Sequence, residues 1–253
     1  MSTCCMKGFR WNGTPQGSEA TLAGQNTYVT GSNPNAAILV IHDIYGWKFE
    51  NIRLLADQYA EEVGATVYVP DFFGGEELPL DILLDQSRWG EIDIAGFMSN
   101  HSKEIREPEM VKCVKALRSE HRFSSVGAVG FCYGGWAVFR LGAKEHDPKL
   151  VDCITFAHPS FLTEKEMSEI SVPVQINAPE IDPMFTPELK EFALREIPKK
   201  NVPFDYQYYP GLVHGFATRV DPEKKNEVAG MDRAKNVMVN WLRLWLHETA
   251  KAD

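Results

Sequence analysis

The chain has 253 residues, a net charge of −9 and 24% charged residues. That acidic balance leaves no basic stripe to neutralise phosphates, so nucleic acid is not an expected partner. No apolar run approaches the roughly 18 residues of a membrane-crossing helix, and no secretory h-region follows Met1. The five cysteines are an odd, scattered number, which points to reduced thiols in the cytoplasm rather than a disulfide framework.

Residues 1–25 are rich in Gly, Thr, Ser and Asn and read as an irregular lead-in, with a short hairpin around Gly13–Gly17. Cys4 and Cys5 are adjacent, but no His or Cys lies nearby at metal-ligand spacing, so they read as two thiols near a terminus. Asn26–Thr30 reads as a strand. Ala36–Ile41 is a continuous apolar run, typical of a strand buried on both faces of a parallel sheet. It ends at His42-Asp43-Ile44-Tyr45-Gly46-Trp47, and the C-terminal end of a central strand is where open α/β sheets place their chemistry.

A helix over residues 51–62 follows, with Ile52, Leu55, Ala56 and Tyr59 at helical spacing and Gly64 as its stop. Thr66–Val69 is the next strand. Residues 76–102 predict short helices arranged as a cap. Glu107–Arg118 reads as a helix, followed by a strand ending near Val129. Further strands are expected at Asp152–Ala157, Val172–Ala178 and Phe204–Tyr209. Pro187–Glu196 reads as a helix with Thr186 as N-cap. A last helix runs from about residue 227 to 249, with Val228, Met231, Ala234, Met238, Trp241, Leu242 and Trp245 on one face. Alternating strands and helices without a linker or repeat predict one domain over residues 1–253. Its expected core is a mostly parallel central sheet with helices on both faces.

The stretch Gly130-Phe131-Cys132-Tyr133-Gly134-Gly135 follows a strand and precedes a helix-compatible run. It is a Gly-x-nucleophile-x-Gly elbow with Cys in place of the commoner Ser. Residues two before and two after such a nucleophile approach its backbone and need to lack a Cβ. The helix behind it points amide N–H groups at the thiol and favours its anion. Downstream strand ends carry Asp182 and His214, which completes the nucleophile–acid–base order of the α/β-hydrolase fold.

In that arrangement His214 takes the Cys132 proton and later activates water, while Asp182 orients the imidazole. Glu180 competes with Asp182 for that place. The backbone N–H of Tyr133 is one expected oxyanion donor, with the second from the loop after Ile41, at Ile44. Asp43 lies next to that loop and is a candidate modulator of the thiol, or else an ordinary strand-end carboxylate bonding its own loop. His158 reads as a turn histidine with a structural hydrogen bond. The aromatics Tyr45, Trp47, Phe73, Trp89, Tyr133 and Phe216 are candidates to line an acyl pocket.

Taken together, several motifs resemble the dienelactone hydrolase family, including carboxymethylenebutenolidases and their fungal relatives. They are Ile41-His42-Asp43-Ile44-Tyr45-Gly46, Pro70-Asp71-Phe72-Phe73-Gly74, the Cys132 elbow, Ala157-His158-Pro159-Ser160 and His214-Gly215-Phe216-Ala217. The resemblance covers about residues 26–249 and extends to the leading Cys-Cys and Gly-Thr-Pro-x-Gly segment of fungal members. It implies an α/β-hydrolase fold, a Cys-His-Asp triad, a small lactone or ester substrate, a cytosolic setting, and no metal or organic cofactor. Bacterial members carry Glu where Asp43 stands, and that Glu helps switch the thiol on. They also place a substrate-binding Arg four residues after the His, where this chain has Thr218 followed by Arg219, which leaves Arg219 as the candidate for a substrate carboxylate. A second expectation, from a different class, is a non-hydrolytic small-molecule binder or thiol redox sensor built on the same scaffold, because a low-pKa Cys132 would be oxidisable.

Overall fold

A computed structural model of the chain describes residues 6–249; Cys4 and Cys5 lie outside them. Eight strands form one sheet: β1 Ser18–Leu22, β2 Gln25–Thr30, β3 Ala36–Ile41, β4 Thr66–Pro70, β5 Ser125–Phe131, β6 Cys153–Ala157, β7 Val174–Ile181 and β8 Phe204–Val213. Their spatial order is β1-β2-β4-β3-β5-β6-β7-β8. The six strands from β4 to β8 along that order run parallel, and β1 and β2 are antiparallel additions at one edge. Every residue of β3 and β5 is buried, as their unbroken apolar runs require of central strands covered on both faces.

Helices cover both faces of the sheet. On one side α1 (Glu50–Tyr59) and α8 (Lys225–Arg243) bring Ile52, Leu55, Tyr59, Met238 and Leu242 to a common apolar cluster. On the other, α4 (Lys103–Ser119), α5 (Gly134–Leu141) and α7 (Pro187–Glu196) contribute Met110, Leu117, Trp136, Phe139 and Ala193. Thr186 caps α7 by accepting the Leu189 amide. The 76–102 region folds as short helical pieces, among them α2 (Leu80–Leu83) and α3 (Ile94–Asn100). A small helix α6 (Glu164–Ser168) completes the set. Among the described residues no helix is long and apolar enough to cross a membrane.

Several local expectations change, among them the ends of β7 and β8, which run on to Ile181 and Val213 rather than stopping at Ala178 and Tyr209. No strand forms at Gly13–Gly17; the hairpin is β1–β2, turning at Ala23 and Gly24, both with positive φ. The irregular lead-in therefore ends at Gly17. An alanine in a left-handed turn carries no sequence signal, since Asn or Gly usually holds that place. Helix α4 also starts at Lys103, four residues before the expected Glu107. It carries Pro108 inside, at a position that forfeits one helical hydrogen bond and so reads as a helix start.

Candidate active site

The C-terminal ends of β3, β5, β6, β7 and β8 converge. Cys132 follows β5 directly, with φ of +49°, and α5 begins two residues later. That left-handed backbone costs an L-residue roughly 1–2 kcal/mol, so surrounding contacts must hold it. The two glycines make it possible. A Cβ on Gly130 would lie 2.4 Å from the Gly134 carbonyl oxygen, and one on Gly134 would lie 2.2 Å from that of Ile41. The Cys132 N–H donates to Ala157 O at 3.3 Å, and its carbonyl accepts from Gly135 N and Ser160 N at 3.0 and 2.7 Å. The thiol is buried, with Sγ 3.3 Å from Ser160 Oγ.

His214 sits just past β8. Its Nδ1 lies 2.9 Å from both carboxylate oxygens of Asp182, at the end of β7, and both side chains are fully buried. Asp182 Oδ1 also accepts the Met184 and Phe185 amides, so the carboxylate is fixed before it meets the ring. Glu180 goes elsewhere: exposed, it accepts the Gly211 amide at 2.6 Å. Burial alone would push the His214 imidazole down. The negative charge of Cys132 and the Asp182 carboxylate outweigh it and raise the ring to about 10. A hydrogen bond with Cys132 also raises the ring, and with Nδ1 held by Asp182 it is Nε2 that remains for the thiol.

The loop after β3 carries Ile44, buried with Cys132 in the same apolar cluster. His42 braces this loop through its imidazole, a role no sequence pattern announced. Its Nδ1 lies 2.8 Å from the Asp43 carbonyl, and its Nε2 accepts from the Phe72 amide at 3.3 Å. These two contacts assign the proton to Nδ1 and tie the loops after β3 and β4 together.

Asp43 bonds its own loop, one of the two readings expected of it, and it also pairs with Arg219. Arg219 Nε lies 2.9 Å from Asp43 Oδ2, with side-chain exposures of 0% and 4%. Asp43 also accepts the Tyr45 amide and the Thr218 hydroxyl, each at 2.9 Å. The Arg219 guanidinium lies 5.0 Å from the Tyr45 ring centroid and donates to Lys7 O at 3.1 Å. The expectation that Arg219 reaches a substrate carboxylate does not match this buried placement. The Arg219 side chain instead turns inward onto the Asp43 loop.

The aromatic candidates divide. Tyr45, Trp47 and Phe216 share the apolar cluster that contains Cys132. Tyr45 is anchored by its hydroxyl donating to Met6 O at 2.6 Å. Burial pushes that phenol up to about 12, with the Arg219 charge opposing. Trp47 is covered by the Arg53 guanidinium, 4.9 Å from its ring centroid, and reads as packing. Phe73 meets Tyr133 edge-to-face, 5.2 Å between ring centroids, in the cluster on the other face. Trp89 lies in the cap, its indole N–H donating to Leu83 O at 3.0 Å.

His158 does not make the structural hydrogen bond expected of it. It is fully buried, with φ of +38°, its ring 5.0 Å from that of His214, and neither nitrogen has a partner among the described residues. Burial first, then the charges of His214 and Arg219, hold it well below the usual histidine range. Ser160 stands in the Ala157–Ser160 motif, but no pattern in that motif announces that its hydroxyl meets the Cys132 sulfur. Among the described residues no group of three or more His, Cys, Asp or Glu side chains is arranged to hold a metal ion.

A mostly parallel sheet with a sharp elbow after its central strand, and a His–Asp pair on the last two strand ends, defines an α/β-hydrolase fold. The model of the dienelactone hydrolase family matches residues 24–246. Hydrolase tropI of Talaromyces stipitatus is 30% identical, with 97% of each chain covered. The carboxymethylenebutenolidase homolog of Homo sapiens is 27% identical over 96% of each. A putative dienelactone hydrolase from Klebsiella pneumoniae shares the fold, with a TM-score of 0.69 at 17% identity, covering 90% of this chain and 98% of that one. The chain belongs to the dienelactone hydrolase family, which makes it an ester or lactone hydrolase with a small-molecule substrate.

Proposed function

We propose that the chain opens a small lactone or cleaves a small carboxylic ester through a thioester on Cys132, with His214 as base and Asp182 as its partner. The observation that carries this reading is the His214 ring itself. Its Nδ1 is held by both oxygens of a buried carboxylate, and Nε2 is left for proton traffic on the side of the thiol's charge. Sγ gives its proton to His214 Nε2 and attacks the carbonyl carbon. The oxyanion is met by the amides of Tyr133 and Ile44. The C–O bond breaks, and His214 returns the proton to the leaving oxygen, which for a lactone stays on the acyl chain. Water then gives a proton to His214 and attacks the thioester, and Cys132 leaves as thiolate.

Tyr45 and Phe216, in the cluster shared with Cys132, would shape the acyl pocket, and Phe73 and Trp89 its cap side. The reading treats residues 1–253 as one unit and needs no cofactor. Cys113 and Cys153 are free buried thiols, which suits a reducing cytoplasm. The test is Cys132→Ala, assayed on p-nitrophenyl acetate and a lactone panel including dienelactone, with intact-mass detection of an acylated parent enzyme. Turnover should fall on the order of 1,000-fold or more. Unchanged rates, or an acyl adduct on another residue, would sink the reading.

A further inference from the structure

A hydroxyl lies against Cys132 Sγ, Ser160 Oγ at 3.3 Å, and both residues are fully buried. The position of that hydroxyl is built. Ser160 N–H donates to the Cys132 carbonyl at 2.7 Å, and Cys132 N–H donates back to Ala157 O at 3.3 Å. The turn between them lies so close on α5 that a Cβ on Gly135 would come within 2.3 Å of Pro159 Cβ. The turn after β6 and the elbow after β5 therefore move as one piece.

The titratable groups around the sulfur come from four other strand ends or loops. His214 faces it from the loop after β8, with Asp182 behind it after β7. His158 stands on the same turn as Ser160, kept neutral by burial and by the neighbouring His214 and Arg219 charges. Asp43 and Tyr45, after β3, are engaged with Arg219, so the Asp43 carboxylate oxygens bond Tyr45 N, Thr218 Oγ1 and Arg219 Nε. A carboxylate against the sulfur would push the thiol towards its neutral form, whereas a hydroxyl donor favours the anion.

We propose that Ser160 is a positioning residue for the nucleophile: its hydroxyl donates a hydrogen bond to Cys132 Sγ, holding the sulfur at the elbow and stabilising it as thiolate. The proposal rests on Cys132 being the nucleophile. When the Sγ proton passes to His214 Nε2, Ser160 keeps its own proton and shares it with the sulfur. As the S–C bond forms, negative charge leaves the sulfur for the carbonyl oxygen, and the hydrogen bond weakens with it. Ser160 thus raises the thiolate fraction at neutral pH without taking part in proton transfer.

The test is the pH dependence of Cys132 alkylation by iodoacetamide from pH 5 to 10, resolved by peptide mass, in the parent and in Ser160→Ala, Ser160→Val and Ser160→Thr. Circular dichroism checks that each variant is folded. Ala and Val should raise the apparent thiol pKa by about one unit, since a hydrogen bond to a charged group is worth that much or more. Thr, isosteric with Val but keeping the hydroxyl, should track the parent, so the Thr–Val pair decides the matter even where Ala does not fold. Overlapping profiles for Val and the parent, or an equal shift in Thr and Val, would overturn the proposal. Ester hydrolysis surviving in Cys132→Ala would instead remove the cysteine-nucleophile reading, while the alkylation profiles still decide what Ser160 does to the thiol.

Discussion

The Asp43–Arg219 pair offers the sharpest test of how the oxyanion loop is held. Asp43→Asn preserves shape and removes one charge. Oδ1 can go on accepting the Tyr45 amide, but the former Oδ2 becomes an NH2 facing the Arg219 Nε–H, 2.9 Å away in the parent. Two donors then oppose each other at a site where the Arg219 side chain is 0% exposed, and a guanidinium cannot release its proton to escape. Removing one member of a buried pair costs about 3–5 kcal/mol. Arg219→Met keeps the aliphatic stem against Tyr45 and leaves Asp43 two of its donors, so it should cost less, about 1–3 kcal/mol. The double variant should cost at least about 1.5 kcal/mol less than the sum of the singles. Urea unfolding at pH 7.5, analysed by linear extrapolation, measures all four corners. An Asp43→Asn change within about 0.5 kcal/mol of the parent, or strict additivity, would refute the claim that this pair fixes the loop.

Three further outcomes follow from the same geometry. Asp182→Asn should leave KM nearly unchanged while kcat falls on the order of 100- to 10,000-fold, because the ring loses its orienting carboxylate; steady-state kinetics with a kcat loss under tenfold would count against Asp182. Gly134→Ala should destabilise by about 2 kcal/mol or more and slow turnover on the order of 100-fold, since its Cβ would meet the Ile41 carbonyl oxygen at 2.2 Å and part the elbow from the oxyanion loop; a thermal melt and a rate matching the parent would refute it. His158 and His42 are both buried with lowered pKa, so the unfolded chain binds more protons than the folded one below the unfolded value of about 6.5. Their stability contribution is complete above that pH and falls as pH drops, with a limiting slope of about 1.4 kcal/mol per unit for each histidine. His158→Phe should therefore flatten the unfolding free energy between pH 6 and 5 by about one proton; an unchanged slope refutes the assignment.

How much of this was legible in the sequence depends on whether the signal was local. The elbow was, because strand, turn and helix lie within a dozen residues and the glycines are needed by the backbone of that same dozen. The end of β3 was legible for a similar reason: its apolar run stops at polar residues, and parallel strands bring such stops to one edge, although β7 and β8 run three and four residues past their expected ends. The β1–β2 hairpin was not, since its turn uses an alanine where pattern expects Asn or Gly. Nor was the start of α4, where Pro108 masks a helix already five residues old.

The contacts that decide the site's electrostatics were the least visible, because each is long-range. Asp43 and Arg219 are 176 positions apart and Cys132 and Ser160 are 28 apart, and residue type alone supports several partners for each. Read singly, Asp43 modulates a thiol or bonds its own loop, and Arg219 binds a substrate acid. Placed together and buried, the two form an ion pair. On the proposed reading, control of the Cys132 proton falls to neutral or paired neighbours: the Ser160 hydroxyl on one side and the Asp182-bound imidazole on the other. Such a site needs no carboxylate to be moved before the thiol is ready. Its alkylation rate should therefore be governed by the thiol–imidazole equilibrium even without substrate, and saturating the enzyme with a non-hydrolysable lactone analogue should protect Cys132 from iodoacetamide. A rise in alkylation rate on adding the analogue would show that the thiol is switched on by binding, and would return the controlling role to a group that moves.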